Sequence, residues 1–464
     1  EQKKANKVIN CGIDYLFSNI AEQISLTKDL QSFIPKYSNE ILSFATFLAV
    51  NRSLEDTPFK YWAQNRYMSL SKPLRKSKIL KICSKLSNMD FSIFFKSRGH
   101  LSRVCMIVDT LSFSANFKGV DLARLDKEKN RVRTPHKTLI TLIDQFNNVP
   151  VAIWTIQETI TSIAQLKPLL KVVSDLYLTS EIKLCLDSSF YSASNIQTLL
   201  ENRIDFVFVL ELSSEAGKNF VKEHSSEVKL EEWFKYQVKK DIQCADFRHT
   251  FTYQIEDRGN RPKEMEKILR CRLYHSVSRF KSEVKHFKND MNKLTDHFLA
   301  GHLDNQAKDV LYKFQNKWDN RWTFNDKALI NEFKYYGYYV TISNAHRREV
   351  QYLLNSVKYR IEIERFFAYS KHDFGLRPRS RKNSKIFKGK LFLMFIALIL
   401  RIELKNRVSN DWTGAFDEFT FNEIINEIDS LKRHTDCNGV LLRHVITKRQ
   451  AAFLKALRIP NTLT

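Results

Sequence analysis

No two of the seven cysteines in this chain form a CxxC pair, and none joins a histidine at a zinc-site spacing; they stand at Cys11, Cys83, Cys105, Cys185, Cys244, Cys271 and Cys437. A cysteine-built zinc module is thereby excluded, and an odd, scattered set fits a reducing compartment. Cys105 and Cys185 lie in apolar runs and read as small core residues. No secretory leader opens the chain, because Glu1-Gln-Lys-Lys-Ala-Asn-Lys7 has no apolar stretch. The first residue is not Met, which leaves room for a segment upstream. No apolar run is long enough to span a bilayer: the longest, Leu391 to Leu400, has ten residues and reads as a buried helix. Lipidation signals and a terminal amphipathic basic helix are also missing, so a membrane partner is not expected. There is no internal repeat.

What the chain does have is positive charge. Lys and Arg number 75 against 51 Asp and Glu in 464 residues, a formal charge of +24. This excess favours a polyanionic partner; a merely basic soluble protein is the plainer alternative. Hydrophobic residues make up 43%, enough for a sizeable core and too many for general disorder. The length allows about three domains.

Residues 8 to about 100 read as helical. Ile13, Leu16, Phe17, Ile20 and Ile24 recur at a helical period, residues 39–50 give a second helix, and the basic stretch 75–86 a third. This lead region is either a DNA-binding module or a packing subdomain. Short apolar runs then predict strands at 104–108, 137–143, 149–156, 182–186 and 205–210, with a turn at Asn147-Asn148. Helices are expected at 162–176, where Pro168 can bend the chain, and at 194–202. Strands alternating with helices imply an α/β fold with a mixed sheet. From about 213 to 333 the pattern is lost among charges, and this stretch, with Trp233, Trp318 and Trp322, reads as an insertion with its own small hydrophobic centre. A strand returns at 336–343, followed by helices at 347–357 and 359–372, a basic loop at 377–388, an apolar helix at 390–404 and a basic helical tail to Thr464.

Three carboxylates stand out. Asp109 closes the run 104–108, and Asp187 closes the run 182–186. A charge at the end of a buried strand lies at the sheet's carboxyl edge, where ligands of α/β folds bind. The plainer reading of each is a cap, Asp109 on nearby turn amides and Asp187 ahead of the 194–202 helix. Glu364 belongs to the stretch Tyr359-Arg-Ile-Glu-Ile-Glu-Arg-Phe-Phe-Ala-Tyr-Ser-Lys371. Read as a helix, this stretch puts Arg360 roughly 40° and Lys371 roughly 20° from Glu364, all on one stripe. Alone, Glu364 can equally be a solvated partner of Arg360, worth about 0.3–0.5 kcal/mol.

Together the three carboxylates can bind two Mg²⁺ ions about 3.5–4 Å apart, with Mn²⁺ as a substitute, and drive in-line phosphoryl transfer. Without metal they would repel one another, so a destabilised metal-free site is expected. Arg360 offers phosphate a planar fork and Lys371 a point charge. Arg377, Arg379, Arg381, Lys382, Lys385 and Lys388 either extend a phosphate track or form a solvated loop.

At these residues the chain resembles bacterial insertion-sequence transposases of the DDE type, in the group with a Tyr-x2-Arg-x3-Glu-x6-Lys signature. Arg360, Glu364 and Lys371 fit that spacing without a gap; Val357 stands at the tyrosine's position, and Tyr359 is the nearest tyrosine. Asp109-Thr-Leu-Ser112 is similar to the first aspartate motif. Asp187-Ser-Ser-Phe-Tyr191 is similar to the second, with Ser189 where a glycine is usual. The stretch Tyr335 to Asn344 resembles the strand that leads to the glutamate helix. Arg377-Pro-Arg379 and the apolar 390–400 helix resemble the family's segment C-terminal to that helix. The likeness covers most of residues 10 to 405.

The resemblance implies an RNase H-like core in two parts, 101–212 and 335–405, interrupted by an insertion domain at 213–334. A helical DNA-binding or dimerisation region at 1–100 would precede it and a basic tail at 406–464 would come after it. It also implies that Asp109, Asp187 and Glu364 hold the metal ions, and that Arg360, Lys371, Tyr359, Arg377, Arg379, Arg381 and Lys382 contact DNA. The partner would be double-stranded DNA, both terminal inverted repeats and target, bound by a homodimer at the nucleoid of a prokaryotic cytoplasm. Activated water would cut the element ends, and the freed 3′-hydroxyls would attack the target. Two alternatives stay open: a catalytically idle DNA-binding derivative, and an RNase H-like nuclease that does not join strands.

Overall fold

A helix that is apolar on every side must be covered on every side. Residues 391–400 meet that requirement, each at most 3% exposed in the computed structural model of the chain. The structure describes residues 7–51, 59–64, 66–68, 74–99, 105–112, 138–144, 149–156, 166–176, 183–212, 217–220, 236–239, 242–256, 262–301, 305–318, 321–344, 381–435 and 441–460. Two units are distinguished: Glu1–Arg103, Leu142–Ile153 and Leu354–Thr464 form one, and Val104–Thr141 with Trp154–Leu353 form the other.

The chain begins with β1 (Lys7–Asn10), α1 (Gly12–Gln23), α2 (Leu26–Phe33), α3 (Ser38–Val50), α4 (Phe59–Gln64), α5 (Lys76–Ser87) and α6 (Phe91–Gly99). Then come β2 (Cys105–Ser112), β3 (Thr138–Asp144), β4 (Val149–Ile156), α7 (Leu166–Leu176), β5 (Lys183–Asp187), α8 (Ala193–Glu201) and β6 (Asp205–Glu211). Next are β7 (Tyr236–Lys239), β8 (Ile242–Glu256), β9 (Pro262–Ser276), α9 (Val277–Leu299), α10 (Asn305–Phe314), β10 (Gln315–Trp318), β11 (Arg321–Phe324), α11 (Asp326–Phe333) and β12 (Tyr338–Ser343). The last elements are α12 (Arg381–Ser409), α13 (Phe421–Asp429), β13 (Lys432–Thr435), β14 (Leu441–Val445) and α14 (Lys448–Ala456).

In the first unit α12 packs on α3 and α5. The Phe392 ring meets those of Phe91 at 4.5 Å, Phe94 at 5.0 Å and Phe33 at 5.5 Å between centroids. At the α5 crossing, a Cβ built on Gly389 would lie 1.9 Å from the Cys83 carbonyl oxygen, so glycine is what lets the two backbones approach. Buried charge is paired here. Arg98, 2% exposed, meets Asp29 at 2.9 Å, and Arg401 Nη1 donates to the Ala49 carbonyl at 2.6 Å. A small antiparallel sheet, β1-β13-β14, joins the two ends of the chain.

Helix α12 begins at Arg381, so residues 381–388 are helical and not the loop their basic composition predicts. After Pro378 no proline occurs before Pro460, and the helix extends back through the basic residues instead of stopping at them. Lys388 within it donates Nζ to the Met89 carbonyl at 2.7 Å and lies 4.8 Å from the Phe91 ring centre.

The large sheet has the strand order β4-β3-β2-β5-β6-β12-β9-β8-β7. Strands β2, β5 and β6 are parallel, and the pairs from β6 to β7 are antiparallel, which makes a mixed sheet in an α/β fold. Helix α8 is the crossover between β5 and β6, as a parallel pair requires. Pro168 stands third in α7, in the first turn, where its missing N–H costs the helix nothing. Strands β8 and β9 are 15 residues each and fall where the sequence reading finds no pattern. Among the described residues no helix is long and apolar enough to cross a membrane.

Helix α9 carries Phe280, Val284, Phe287, Met291, Leu294 and Phe298 at alternating steps of four and three, one stripe in a charged helix. That stripe builds a separate core with Val310, Leu311 and Phe314 of α10 and with Tyr336. An ionic lock ties α9 to the sheet. Arg279 reaches Glu211 at the end of β6 (2.7 Å) and Glu283 (2.8 Å), and Glu283 accepts the Gly337 N–H at 2.8 Å. Burial alone would lower the Arg279 pKa; the two carboxylates more than offset it and hold the guanidinium charged. Gly337 has φ +77°, a left-handed turn into β12 that favours glycine.

Replacing a helical glycine by alanine normally gains about 1 kcal/mol, whereas overpacking costs about 1–3 kcal/mol and rises when the obstacle is backbone. At Gly389 the obstacle is a carbonyl oxygen of α5, so Gly389→Ala is expected to destabilise. Urea unfolding should show a lower midpoint at an unchanged slope. A midpoint equal to that of the parent would mean that α5 and α12 do not meet at this point.

Candidate active site

Strand β5 is buried through Leu184, Cys185 and Leu186, and its neighbour β6 through Phe206, Phe208 and Leu210. Strands with no wet face read as continuous apolar runs and favour parallel pairing inside a sheet. The β2–β5 ladder joins Cys105 to Lys183 and, step by step, Val108 to Leu186. Asp109 and Asp187 are the residues that directly follow this last pair, each on its own strand. Neighbouring strands lie about 4.8 Å apart, so the two backbone positions are held at that spacing.

The row continues across the sheet. Asp187 pairs with Val209, Val209 with Thr341, Thr341 with Arg272, and Arg272 with Asp246. Thr341, Arg272 and Asp246 are not singled out by sequence reasoning. What brings them into line is strand pairing between segments far apart in the chain, which no local pattern reports.

Asp187 is the last residue of β5, as the sequence predicts, but Asp109 is not a strand end: β2 continues to Ser112. What ends at Val108 is the parallel ladder, since β5 stops after Asp187 while β2 runs on. The turn after Asp187 is fixed from below. Asn195 Nδ2 donates to the Phe190 carbonyl at 2.8 Å, the Phe190 ring is fully buried, and the Tyr191 ring meets Phe208 edge-on at 5.7 Å. The capping role left open for Asp187 belongs to Ser192, whose Oγ accepts the Asn195 N–H at 3.1 Å at the start of α8. On the far side of β6, Asn344 accepts the Phe206 N–H at 2.8 Å and donates to the Ile204 carbonyl at 3.1 Å.

Two carboxylate positions at adjacent register suit a hard divalent cation, which prefers oxygen ligands. Among the described residues no group of three or more His, Cys, Asp or Glu side chains could hold a metal ion. The side chains of Asp109 and Asp187, and the whole of Glu364, lie outside those residues. So do Tyr359, Arg360, Lys371, Arg377 and Arg379. Arg381 and Lys382 occupy the first turn of α12, and their side chains are outside the described set.

The chain matches no family model, and no curated protein matches it.

Like charges at neighbouring register positions cost a sheet up to about 1 kcal/mol. In metal-free buffer Asp187→Asn is therefore expected to raise the urea midpoint at an unchanged slope, a gain of up to about 1 kcal/mol in stability. A fall in midpoint would show that Asp187 makes a structural hydrogen bond, the role of a cap.

Proposed function

We propose that this chain is a DNA transposase of the DDE type with an RNase H-like core, in which Asp109, Asp187 and Glu364 are the catalytic set. The observation that carries this reading is the parallel ladder whose last pair, Val108 with Leu186, immediately precedes Asp109 on one strand and Asp187 on the next. The order β4-β3-β2-β5-β6, with β2 central and the crossover helix α8 between the parallel strands β5 and β6, supports the RNase H-like core. A formal charge of +24 favours DNA as the partner.

Each residue has a distinct task in this reading. Asp109 and Asp187 present carboxylates at a spacing fixed by the ladder and by the pinned turn behind Asp187. Glu364 would complete the set, while Arg360 and Lys371 would hold the phosphates flanking the scissile bond. Two Mg²⁺ ions, when bound by the three carboxylates, would supply charge stabilisation for the attacking and leaving oxygens. Water is the nucleophile at the element ends, and the freed 3′-hydroxyl is the nucleophile at the target. Tyr359 and the basic residues Arg377, Arg379, Arg381 and Lys382 contact double-stranded DNA, and a homodimer brings two ends together.

The test is a cleavage assay with Mg²⁺ on a duplex carrying inverted terminal repeats. Asp109→Asn, Asp187→Asn and Glu364→Gln are each expected to lower cutting by at least about 10²-fold while leaving DNA affinity unchanged. Pre-cut ends offered with a plasmid target then read out joining. Cutting without joining would indicate a nuclease, and binding without cutting an idle derivative. Normal cutting by Asp187→Asn would overturn the assignment.

A further inference from the structure

We propose that Arg248, Arg270 and Arg272 on the β8–β9 hairpin form a binding site for the phosphates of a nucleic-acid backbone. The hairpin pairs Asp246 with Arg272 and Arg248 with Arg270, at successive positions on one face. Two of the three guanidiniums share one carboxylate. Asp246 accepts from Arg270 Nη2 at 2.8 Å and from Arg272 Nε at 2.8 Å. Arg248, which is exposed, has no carboxylate partner among the described residues and stands directly across from Arg270. Like charges directly opposite weaken a ladder. Arg272 is 8% exposed, and its Nη1 is buried with no hydrogen-bond acceptor among the described residues.

A repelling cross-strand pair and a half-satisfied buried guanidinium are both relieved by an anion. A depression of about 600 Å³ opens beside them, lined by Asp246, Phe247, Arg248, Ile268 and Arg270. Guanidinium forks match phosphate oxygens two at a time, and the exposed Ile268 on the same face can meet sugar rather than charge.

Register selects a polymer over a free phosphate. Arg272 and Asp246 lie in the same cross-strand row as Asp187, three and four strand spacings away. At about 4.8 Å per spacing the separation is about 14–19 Å. A duplex carries one charge per about 1.7 Å of axis, so a single segment reaches both places. This last step rests on the reading of the Asp109–Asp187 row as the place where DNA is cut; the arginine cluster itself does not.

The experiment measures fluorescence anisotropy of a labelled duplex bound by the full chain in EDTA, across a KCl series. R248A/R270A is expected to weaken binding by about tenfold or more and to flatten the slope of log K against log salt by about 2. Its thermal midpoint should stay close to that of the parent, since the loss of the repelling pair offsets the loss of the half-exposed Arg270–Asp246 ion pair. A control, K285A/K288A on the exposed side of α9, removes the same charge elsewhere. Equal losses in the two double variants would overturn the site. So would a result in which inorganic phosphate raises the parent's thermal midpoint, but not that of R248A/R270A, while duplex affinity is the same for both. Because no metal is present, failure of the cleavage reading leaves this outcome untouched, and the two can fail separately.

Discussion

The hydrogen-bond register of the parallel ladder is the constraint on which the candidate site depends. A shift of β5 by one residue against β2 would take Asp187 away from Asp109 and exchange the two faces of the strand. The buried residues oppose that shift. Leu184, Cys185 and Leu186 are covered, as are Phe206, Phe208 and Leu210 on the next strand. The backbone is anchored beyond both ends of this ladder, by Asn195 on Phe190 after Asp187 and by Asn344 on Ile204 and Phe206 before β6 rises. Two acidic positions can persist side by side only where the surrounding strands fix register more strongly than the charges oppose it.

The antiparallel half of the sheet hangs on the same row. Strand β12 is its hinge, because it pairs with β6 on one side and with β9 on the other. The ions around Arg279 fasten that hinge, joining the last residue of β6 to the glycine turn before β12 and to the first turns of α9. Ser276 completes the junction by capping α9, its Oγ accepting the Arg279 N–H at 3.2 Å. The long stretch between Asp187 and β12 therefore returns to the sheet as paired strands, and its own hydrophobic centre is built on α9 beyond them.

Much of this was legible in the chain and some was not, for physical reasons. Short apolar runs reported β5, β6 and β4 because a strand buried on both faces leaves no polar interruption. The run of ten apolar residues reported the centre of α12, while its basic first turns looked like a loop, since composition alone does not distinguish a solvated helix end from an irregular one. Strand β8 is harder. Its exposed positions Asp246, Arg248, Thr250 and Thr252 alternate with Phe247, His249, Phe251 and Tyr253, so the period of two is present but carries charge and aromatic rings rather than aliphatic residues. In α9 the charges between Phe280 and Phe298 hide a stripe of period 3.5. Of the candidate site, the two aspartates were legible from the sequence and their register was not: pairing across 78 positions is a tertiary fact. The residues carrying the Arg-x3-Glu-x6-Lys spacing lie outside what the structure describes.

The sheet brings like charges together twice: Arg248 pairs with Arg270 in the antiparallel ladder, and Asp109 and Asp187 directly follow the last pair of the parallel one. Each breaks a local rule of strand pairing, and such breaks accumulate where a protein does something other than fold. Their signs differ, and that matters for a polyanion. Three guanidiniums and one carboxylate leave surplus positive charge at the hairpin end of the row, while the β2–β5 end is negative. A nucleic acid drawn to the basic end is repelled at the acidic end unless cations neutralise it there. On the proposed reading, the hairpin end would hold the polymer in the absence of metal and the acidic end would receive it only with metal, so that binding and cleavage would be separable properties.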